Sequence, residues 1–329
     1  MLSDALVSLA EIEAAAVRVR GVAARTPLLE ATVAQRLDRD DASARSTAPF
    51  WLKCENLQPT GSFKIRGAYN MLAQLPPEAR AAGVVTYSSG NHGQAVAYAA
   101  KRLGMQAVIV MPETAPGVKV DGVRRHGGEV IFAGTTSVDR RAAAEATATA
   151  RGLTIVPPFD HRWIIGGAGT CGLEILEQCQ EASTVYVPVG GGGLISGVAA
   201  AIKGSGRNVR LIGVEPSGAA KMLASRLAGR PMRLERTSSV ADGLLPLQPG
   251  DLTFAHVHAL VDDLVTVDDS AILAAVRWLF RETRMVVEPS GAASVAAMLH
   301  ARASVSPGTI AIVSGGNVSP EDHARYVTA

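Results

Sequence analysis

One lysine lies in surroundings that are unusual for a surface cation. Lys64 follows Gly61, Ser62 and Phe63 in the stretch ENLQPTGSFKIRGAYN, residues 55–70, and its other neighbours are mostly small or apolar. A lysine taken alone is most often a solvated cation. An amine held against an apolar wall loses solvation, which favours the neutral, nucleophilic form that condenses with an aldehyde. The stretch therefore suggests Schiff-base chemistry, to be weighed against what the rest of the chain supplies.

A run of four glycines offers a site for a phosphate group. The run lies in PVGGGGLISG, residues 188–197, between a strand-like and a helix-like segment. Backbone N–H groups at a helix N-terminus bind anions, and glycines let an anion approach them closely. Four glycines exceed what a tight turn requires, so a phosphate is favoured over a turn alone. No GK[ST] follows and the spacing does not match GxGxxG, which argues against a Walker or dinucleotide-binding motif.

Two polar stretches follow other predicted strands. In SSGNHGQA, Ser88 and Ser89 end a predicted strand, and Asn91 and His92 open the helix that follows. Hydroxyl, amide and N–H groups at such a helix end can receive a carboxylate. His92 alone would be weak evidence. SGGN, residues 314–317, is by itself typical of a simple turn. An aldehyde-reactive lysine, a phosphate site and a carboxylate receptor together match pyridoxal phosphate acting on an amino acid.

The elements that must position these residues alternate in type along the chain. Short β-branched runs alternate with alanine-rich helical segments, a pattern that predicts βαβ units and two open parallel sheets. Ser8 and Glu11 have capping-box spacing in a predicted amphipathic N-terminal helix. Residues 39–47 predict a surface loop. The predicted strands form a first series, VVTYSS, AVIVMP and EVIFAG, and a second, TIVPPF, TVYVPVGGGG, RLIGVEP, DLVTVDD and TIAIVSGGN.

Composition limits the class of protein. The 329 residues are 47% apolar with a formal net charge of +2, which favours one large or two moderate α/β domains and argues against a nucleic-acid partner. No apolar run approaches the ~18 residues of a membrane span, and the N-terminus lacks a secretory apolar region. The three cysteines show neither a disulfide nor a zinc pattern. We expect a cytoplasmic protein.

Several long motifs in order resemble one enzyme family almost from end to end. The chain resembles the serine/threonine dehydratase (threonine ammonia-lyase) group of pyridoxal-phosphate enzymes of fold type II, which also contains serine racemases. The motifs are TPLLEA near residue 26, the stretch 55–70, SSGNHGQA, GLEIL, PVGGGGLISG, VEP, ADG, LVDDLVTV, VVEPSGAA and SGGN.

The resemblance implies an architecture. It is an α/β, tryptophan synthase β-like fold with two open, twisted parallel-sheet domains and the cofactor, pyridoxal 5′-phosphate, in the cleft between them. Residues 1–79 and 153–329 would form the large cofactor-binding domain, and residues 80–152 a small mobile domain. A small amino acid would be the substrate, and a homodimer is expected. Feedback control through an appended C-terminal domain is not expected, because the chain ends soon after SGGN.

The resemblance also assigns roles to individual residues. Lys64 would carry the cofactor as a Schiff base and move the substrate α-proton, and Ser89 would act as a second catalytic group on the opposite face. Ser314 would contact the pyridine nitrogen, and a neutral partner there favours β-elimination. Phe63 would pack on the cofactor ring and Asn91 would bind its 3′ oxygen, while its phosphate would be held by Gly190, Gly191, Gly192, Gly193 and Leu194. The substrate carboxylate would be bound by Ser88, Ser89, Asn91 and His92.

The implied reaction is loss of the β-hydroxyl from an amino acid such as L-threonine or L-serine, giving a 2-oxo acid and ammonia. Return of a proton by Ser89 would make the same site a serine racemase, which remains an open alternative. A β-replacement synthase is less favoured, because GSFKIRGA resembles the dehydratases more. A non-catalytic amino-acid sensor is disfavoured because Lys64 is intact.

Two positions depart from the family pattern. Relatives that bind a divalent cation offer a Glu, a carbonyl and an Asp, which align with Glu215, Ala219 and Lys221. The sequence therefore predicts no bound metal, with two alternatives for Lys221: its ammonium takes the place of the cation, or it points to water. Ala168 stands where relatives carry glutamine, close to Trp163. We expect this change to open the entrance to a bulkier substrate such as 3-hydroxyaspartate or phenylserine.

Overall fold

The computed structural model describes residues 6–32, 49–88, 90–299 and 305–328. The loop predicted at residues 39–47 lies outside the described residues. The described strands are β1 Leu28–Thr32, β2 Pro49–Cys54, β3 Val84–Tyr87, β4 Ala107–Met111, β5 Glu129–Phe132, β6 Thr154–Ile155, β7 Thr184–Pro188, β8 Arg210–Pro216, β9 Asp263–Val267 and β10 Thr309–Val313.

The helices between these strands include most of the segments predicted from alanine-rich sequence. They are α1 Leu9–Val19, α2 Lys64–Leu72, α3 Pro77–Ala82, α4 Asn91–Arg102, α5 Gly117–Arg125, α6 Ser137–Arg151, α7 Arg162–Gln178, α8 Gly193–Gly204, α9 Lys221–Ala228, α10 Asp251–Leu260, α11 Asp269–Thr283, α12 Pro289–Leu299 and α13 Pro320–Thr328. Short 3₁₀ turns occupy Glu55–Leu57, Ser217–Ala219 and Asp242–Leu244.

The predicted α/β fold with two separate sheets is confirmed. One sheet has six strands in the order β1-β2-β10-β7-β8-β9. Its strands pair in parallel except for β1, which runs antiparallel to β2 with Leu28 opposite Lys53. Because β2, β10, β7 and β8 are parallel, their carboxyl ends meet at one edge, and the segments after them can converge there.

The second sheet has four parallel strands in the order β5-β4-β3-β6. The sequence analysis grouped TIVPPF with the later strands, and this grouping is wrong. Thr154–Ile155 pairs with Val84 and Val85 of β3 instead. This strand has two residues, too few for its sequence to indicate a partner. It follows α6 directly and pairs with β3, against which α6 packs.

Local sequence signals fix several helix ends. The predicted capping box at α1 is present, because the Ser8 side chain accepts from Glu11 N and the Glu11 carboxylate accepts from Ser8 N at 2.8 Å. A second capping box, Thr136 with Asp139, starts α6. That helix ends at Gly152 in the left-handed conformation. Each cap satisfies N–H or C=O groups that a helix end leaves without intrahelical partners.

Glycines allow three helices to pack closely behind the lysine. A Cβ on Gly167 of α7 would lie 2.4 Å from Arg66 O of α2, and one on Gly197 of α8 would lie 2.3 Å from Ile165 O of α7. Any larger side chain at either position would push these helices apart. α7 lies between TIVPPF and TVYVPV, where the predicted alternation places a helix, although its glycines lower helix propensity. Within the described residues, no helix has the length and hydropathy needed to cross a membrane.

Candidate active site

Lys64 is the first residue of α2, at the carboxyl edge of the six-stranded sheet. Its side chain is half-buried, and Nζ donates to the carbonyl of Pro158 at 2.8 Å. Desolvation by burial lowers the pKa of this amine to about 8. A larger share of neutral amine is therefore present near neutral pH than for a solvated lysine, in line with the sequence-based expectation.

A buried charge network fixes α2 next to the lysine. The Arg66 guanidinium is fully buried and contacts Glu55 at 2.7 Å and Glu174 at 2.8 Å. Glu174 also pairs with the fully buried Lys53 at 2.5 Å. Removing one member of such a network leaves an uncompensated buried charge, so the network holds the first turn of α2 in one place.

The SGGN segment lies directly against the lysine segment. Phe63 N donates to Ser314 O at 3.1 Å, and Ser62 forms an isolated bridge with Gly315. The Phe63 ring centroid lies 5.2 Å from the Lys64 amine. Ser314 is buried, with Oγ 3.5 Å from Ser290 O. The neutral hydroxyl that the sequence analysis assigned to a pyridine nitrogen is therefore enclosed at this edge.

The four glycines at residues 190–193, here called the glycine loop, connect β7 to the start of α8. Gly192 has φ of 100°, a conformation that side chains rarely adopt. A Cβ on Gly191 would lie 2.3 Å from the Phe159 ring, so this position must stay bare. Phe159 follows Pro158, whose carbonyl binds Lys64, so the N-terminus of α8 and the Lys64 amine lie against the same segment. Leu194 packs its side chain into the core behind α8.

The SSGNHGQA stretch faces the same region from the four-stranded sheet. Ser88 Oγ accepts from Gly90 N at 3.1 Å, and Asn91 begins α4. The His92 ring is buried, and its Nε2 lies 3.3 Å from Val156 O. Desolvation, assisted by the nearby Lys64 charge, lowers the pKa of His92 to about 3, so the ring is neutral at physiological pH. Ser89 lies outside the described residues.

Lys221 is fully buried, and the alternative in which it points to water is wrong. Its Nζ lies 3.1 Å from the Glu215 carboxylate and donates to three carbonyls, those of Val189 at 3.2 Å, Ala219 at 2.9 Å and Leu244 at 3.0 Å. Burial lowers the pKa of Lys221, and Glu215 opposes that shift. The amine thus occupies a site lined by oxygens, directly behind the glycine loop.

The expectation for Ala168 is corrected by its position. Ala168 is 2% exposed and packs in the apolar cluster between α7, α8 and β7, so it does not line an entrance. Trp163 is half-buried at the start of α7, with its ring 5.2 Å from His161 and its carbonyl bound by Asn70 at 2.7 Å. The alanine at this position contacts neighbouring helices and not a substrate entrance, so it gives no support for a bulkier substrate.

Sequence reasoning gave no role to several residues that build this site. Pro158 supplies the carbonyl that holds Lys64, and Phe159 covers the glycine loop. Thr253 donates from Oγ1 to Gly191 O at 2.7 Å and fixes the loop from α10. Glu288 accepts from Asn91. Only Glu288 carried a signal, because it lies in VVEPSGAA; the others act through backbone atoms or shape, which motifs do not show.

These residues fit pyridoxal phosphate. A glycine loop at the start of α8 suits the phosphate, the desolvated Lys64 amine suits the aldehyde, and Phe63 suits the ring. Asn91 and Ser314 offer polar groups on two sides of the same space. The glycine at 191 lets the loop pack against Phe159, where a Cβ would clash with the ring.

The comparison with protein families agrees with this geometry. Residues 19–316 match the family described as pyridoxal-phosphate dependent enzyme. The chain belongs to this family, and its cofactor is pyridoxal phosphate.

Particular relatives fall into two activities. A biosynthetic L-threonine dehydratase of Burkholderia multivorans is 45% identical over 292 residues, covering 87% of this chain and 57% of that protein. The structure of maize serine racemase superposes with a TM-score of 0.90 at 38% identity, covering 97% of this chain and 96% of that one. Threonine deaminase isoform 2 of Solanum lycopersicum gives 0.88 at 38% identity, with coverages of 99% and 87%. The chain spans about half the length of the biosynthetic dehydratases. The fold is that of the fold type II enzymes.

The lowered pKa of Lys64 predicts how the protein without cofactor takes up pyridoxal phosphate. Only the neutral amine condenses with the aldehyde, so the rate should fall about tenfold per pH unit below about 8 and level off above it. Stopped-flow absorbance between pH 6 and 9.5 measures this rate. Condensation of the cofactor with Nα-acetyl-lysine, whose side-chain amine is free and solvated, is the reference for the cofactor's own titrations. A rate that still rises about tenfold per pH unit up to pH 9.5, as expected for a solvated lysine with a pKa of about 10.4, would contradict the desolvated amine.

Proposed function

We propose that this protein is a pyridoxal-phosphate dependent ammonia-lyase that converts a β-hydroxy amino acid, such as L-threonine or L-serine, to a 2-oxo acid and ammonia. The observation that carries the proposal is the desolvated Lys64 amine, held by Pro158 beside the glycine loop and facing SGGN. The dehydratase relatives, 41% to 45% identical, support the reaction class.

Each residue of the site has a task in this reaction. Bound pyridoxal phosphate supplies the electron sink for chemistry at the substrate α-carbon. The glycine loop and the first turn of α8 hold its phosphate, and Ser314 presents a neutral hydroxyl to its ring. Ser88, Asn91 and His92 orient the substrate carboxylate. The Lys64 amine accepts the α-proton, a role that suits a base whose pKa lies near the working pH.

Racemisation of serine is the second candidate. It is favoured by the likeness to maize serine racemase, which extends over nearly the full length of both chains. The proposal for this alternative assigns the second proton transfer to Ser89. Elimination and racemisation share the removal of the α-proton, so one site can carry both.

The proposal extends to the whole molecule. The four-stranded sheet and its helices would form a small domain that closes over the substrate, and the remainder of the chain would hold the cofactor. The boundary expected after residue 152 moves beyond Thr154–Ile155, because this strand pairs within the four-stranded sheet. A homodimer is proposed, with exposed Leu57 and Val286 as apolar contacts. Three buried free cysteines suit a cytoplasmic location.

An assay of the purified protein with pyridoxal phosphate tests the function. L- and D-serine, L- and D-threonine, 3-hydroxyaspartate and phenylserine are supplied separately, and ammonia, 2-oxo acid and amino-acid enantiomers are measured. We expect equal amounts of ammonia and 2-oxo acid from L-threonine or L-serine. Enantiomer exchange without ammonia would assign the racemase instead. Neither product from any of these substrates, in a protein that binds the cofactor, would overturn both candidates.

A further inference from the structure

Glu288 is a buried carboxyl group with an incomplete set of partners. It precedes α12, is 2% exposed, and its N–H donates to Gly315 O at 3.2 Å. Its Oε1 accepts from Asn91 Nδ2 at 2.5 Å. Its Oε2 is buried and has no hydrogen-bond partner among the described residues. A buried carboxyl with an unpartnered oxygen is costly, so a compensating role is expected at this position.

A chain of hydrogen bonds decides which way the Asn91 amide faces. Asn317 Nδ2 donates to the backbone carbonyl of Thr60 at 2.9 Å and to Asn91 Oδ1 at 2.8 Å. A carbonyl oxygen only accepts, so the NH₂ group of Asn317 must face Thr60, and Asn91 must offer its oxygen to Asn317. The Asn91 NH₂ group is thereby turned toward Glu288. One N–H goes to the carboxyl oxygen, and the second has no acceptor among the described residues.

The packing leaves Glu288 and Asn91 little freedom to rearrange. A Cβ on Gly315 would lie 2.2 Å from Glu288 Oε1 and 3.2 Å from both Asn91 Nδ2 and Ser62 Cβ. Three side chains from separate segments thus converge on the bare face of one glycine of SGGN. The Glu288 carboxyl is held at this point by shape as well as by its hydrogen bond.

Two charged side chains act on Glu288, one from a helix and one from a 3₁₀ turn. Lys119 of α5 pairs with Asp242 of the 3₁₀ turn, and both act on the carboxyl. Burial raises the pKa of Glu288 to about 7, and the Asp242 charge acts in the same direction. The Lys119 charge and the hydrogen bond from Asn91 oppose this shift. Glu288 therefore holds a proton at mildly acidic pH while its Oε1 still accepts from Asn91.

We propose that Glu288 is a positioning residue that locks the Asn91 amide with one N–H directed toward the cofactor. The role rests on the proposed function only in assigning Asn91 to the cofactor. Glu288 acts through Asn91, so its effect on cofactor binding must disappear when Asn91 is removed.

The first measurement uses the protein without added cofactor. Between about pH 5 and 7 the folded Glu288 keeps a proton that the unfolded chain has released, so wild type loses stability as the pH rises. Relative to Glu288→Gln, its folding equilibrium constant should fall about tenfold per pH unit in this window. Melting temperatures measure this trend, with Glu282→Gln, at an exposed carboxylate of α11, as control. If Glu288→Gln and Glu282→Gln track wild type equally, the proton assignment is overturned.

The second measurement is a double-mutant cycle on the affinity for pyridoxal phosphate, read from its visible absorbance at pH 6.5. Glu288→Leu, which removes the acceptor, should weaken binding about tenfold or more, and Glu288→Gln should largely restore it. In an Asn91→Ala background, Glu288→Leu should change affinity by less than about twofold. Equal losses in both backgrounds would overturn the positioning role. Because the readout is affinity, the result stands whether or not the protein proves to be a lyase.

Discussion

Replacing Lys64 with alanine is expected to abolish both turnover and the visible absorbance of covalently bound cofactor. The amine is the nucleophile for the aldehyde and the base for the α-proton, so both tasks are lost together. Loss of the proton transfer alone should lower kcat by roughly 10²–10⁴-fold. Steady-state kinetics and the absorbance spectrum measure the two losses in one preparation, and the melting temperature shows that the variant is folded.

Two further variants separate the amine from its charge. Lys64→Arg keeps a cation that stays protonated in proteins, so it should be as inactive as the alanine variant. Lys101→Ala, at an exposed lysine of α4, should keep wild-type absorbance and turnover. A Lys64→Ala protein that retains the absorbance of a covalent adduct would show that another amine holds the cofactor, and the assignment of the site would fall.

Much of the architecture was predictable because it follows periodic patterns. The alternation of β-branched runs and alanine-rich segments predicted two sheets, and the capping spacing of Ser8 and Glu11 predicted the start of α1. The prediction failed for Thr154–Ile155, which is too short to indicate its sheet. The bounds of α7 are also weakly marked, because its glycines lower helix propensity. Its glycines at 167 and 169 are needed for close helix packing, which only the folded structure reveals.

The site divides in the same way. Residues that perform chemistry are recognisable in the sequence, because Lys64 has small or apolar neighbours and the glycine loop is a run of four glycines. Groups that hold them are less easily recognised. The Pro158 carbonyl belongs to the backbone, and the motif VVEPSGAA marks Glu288 without showing that its carboxyl is buried against Asn91. Ala168 shows the converse error, since an absent polar side chain suggested an open entrance where the structure has core packing.

A substitution of Lys221 is expected to have a large effect on stability, because its ammonium carries the positive charge at a buried site lined by oxygens. We propose that its ammonium does the structural work that a bound divalent cation would do at this oxygen-lined site. The Glu215 carboxylate also accepts from the N–H groups of Met222 and Leu223 at 2.9 and 2.8 Å, so it fixes the start of α9. Lys221 also donates to the carbonyl of Val189, which precedes the glycine loop, and to the carbonyl of Leu244 in the 3₁₀ turn. One charge thus joins three segments that support the phosphate site.

Replacing Lys221 with methionine should lower the free energy of unfolding by ~3–5 kcal/mol, because it leaves the Glu215 carboxylate buried without its partner. Chemical denaturation measures the loss, and the double variant Lys221→Met, Glu215→Gln should recover part of it, since no lone charge remains. Lys221→Asp would instead create a set of oxygen ligands suited to a hard divalent cation. Its melting temperature should rise with magnesium or calcium and fall with a chelator, while wild type should respond to neither. Wild-type activity that disappears on chelation and returns specifically with magnesium or calcium would show that a metal ion, rather than Lys221, supports the glycine loop.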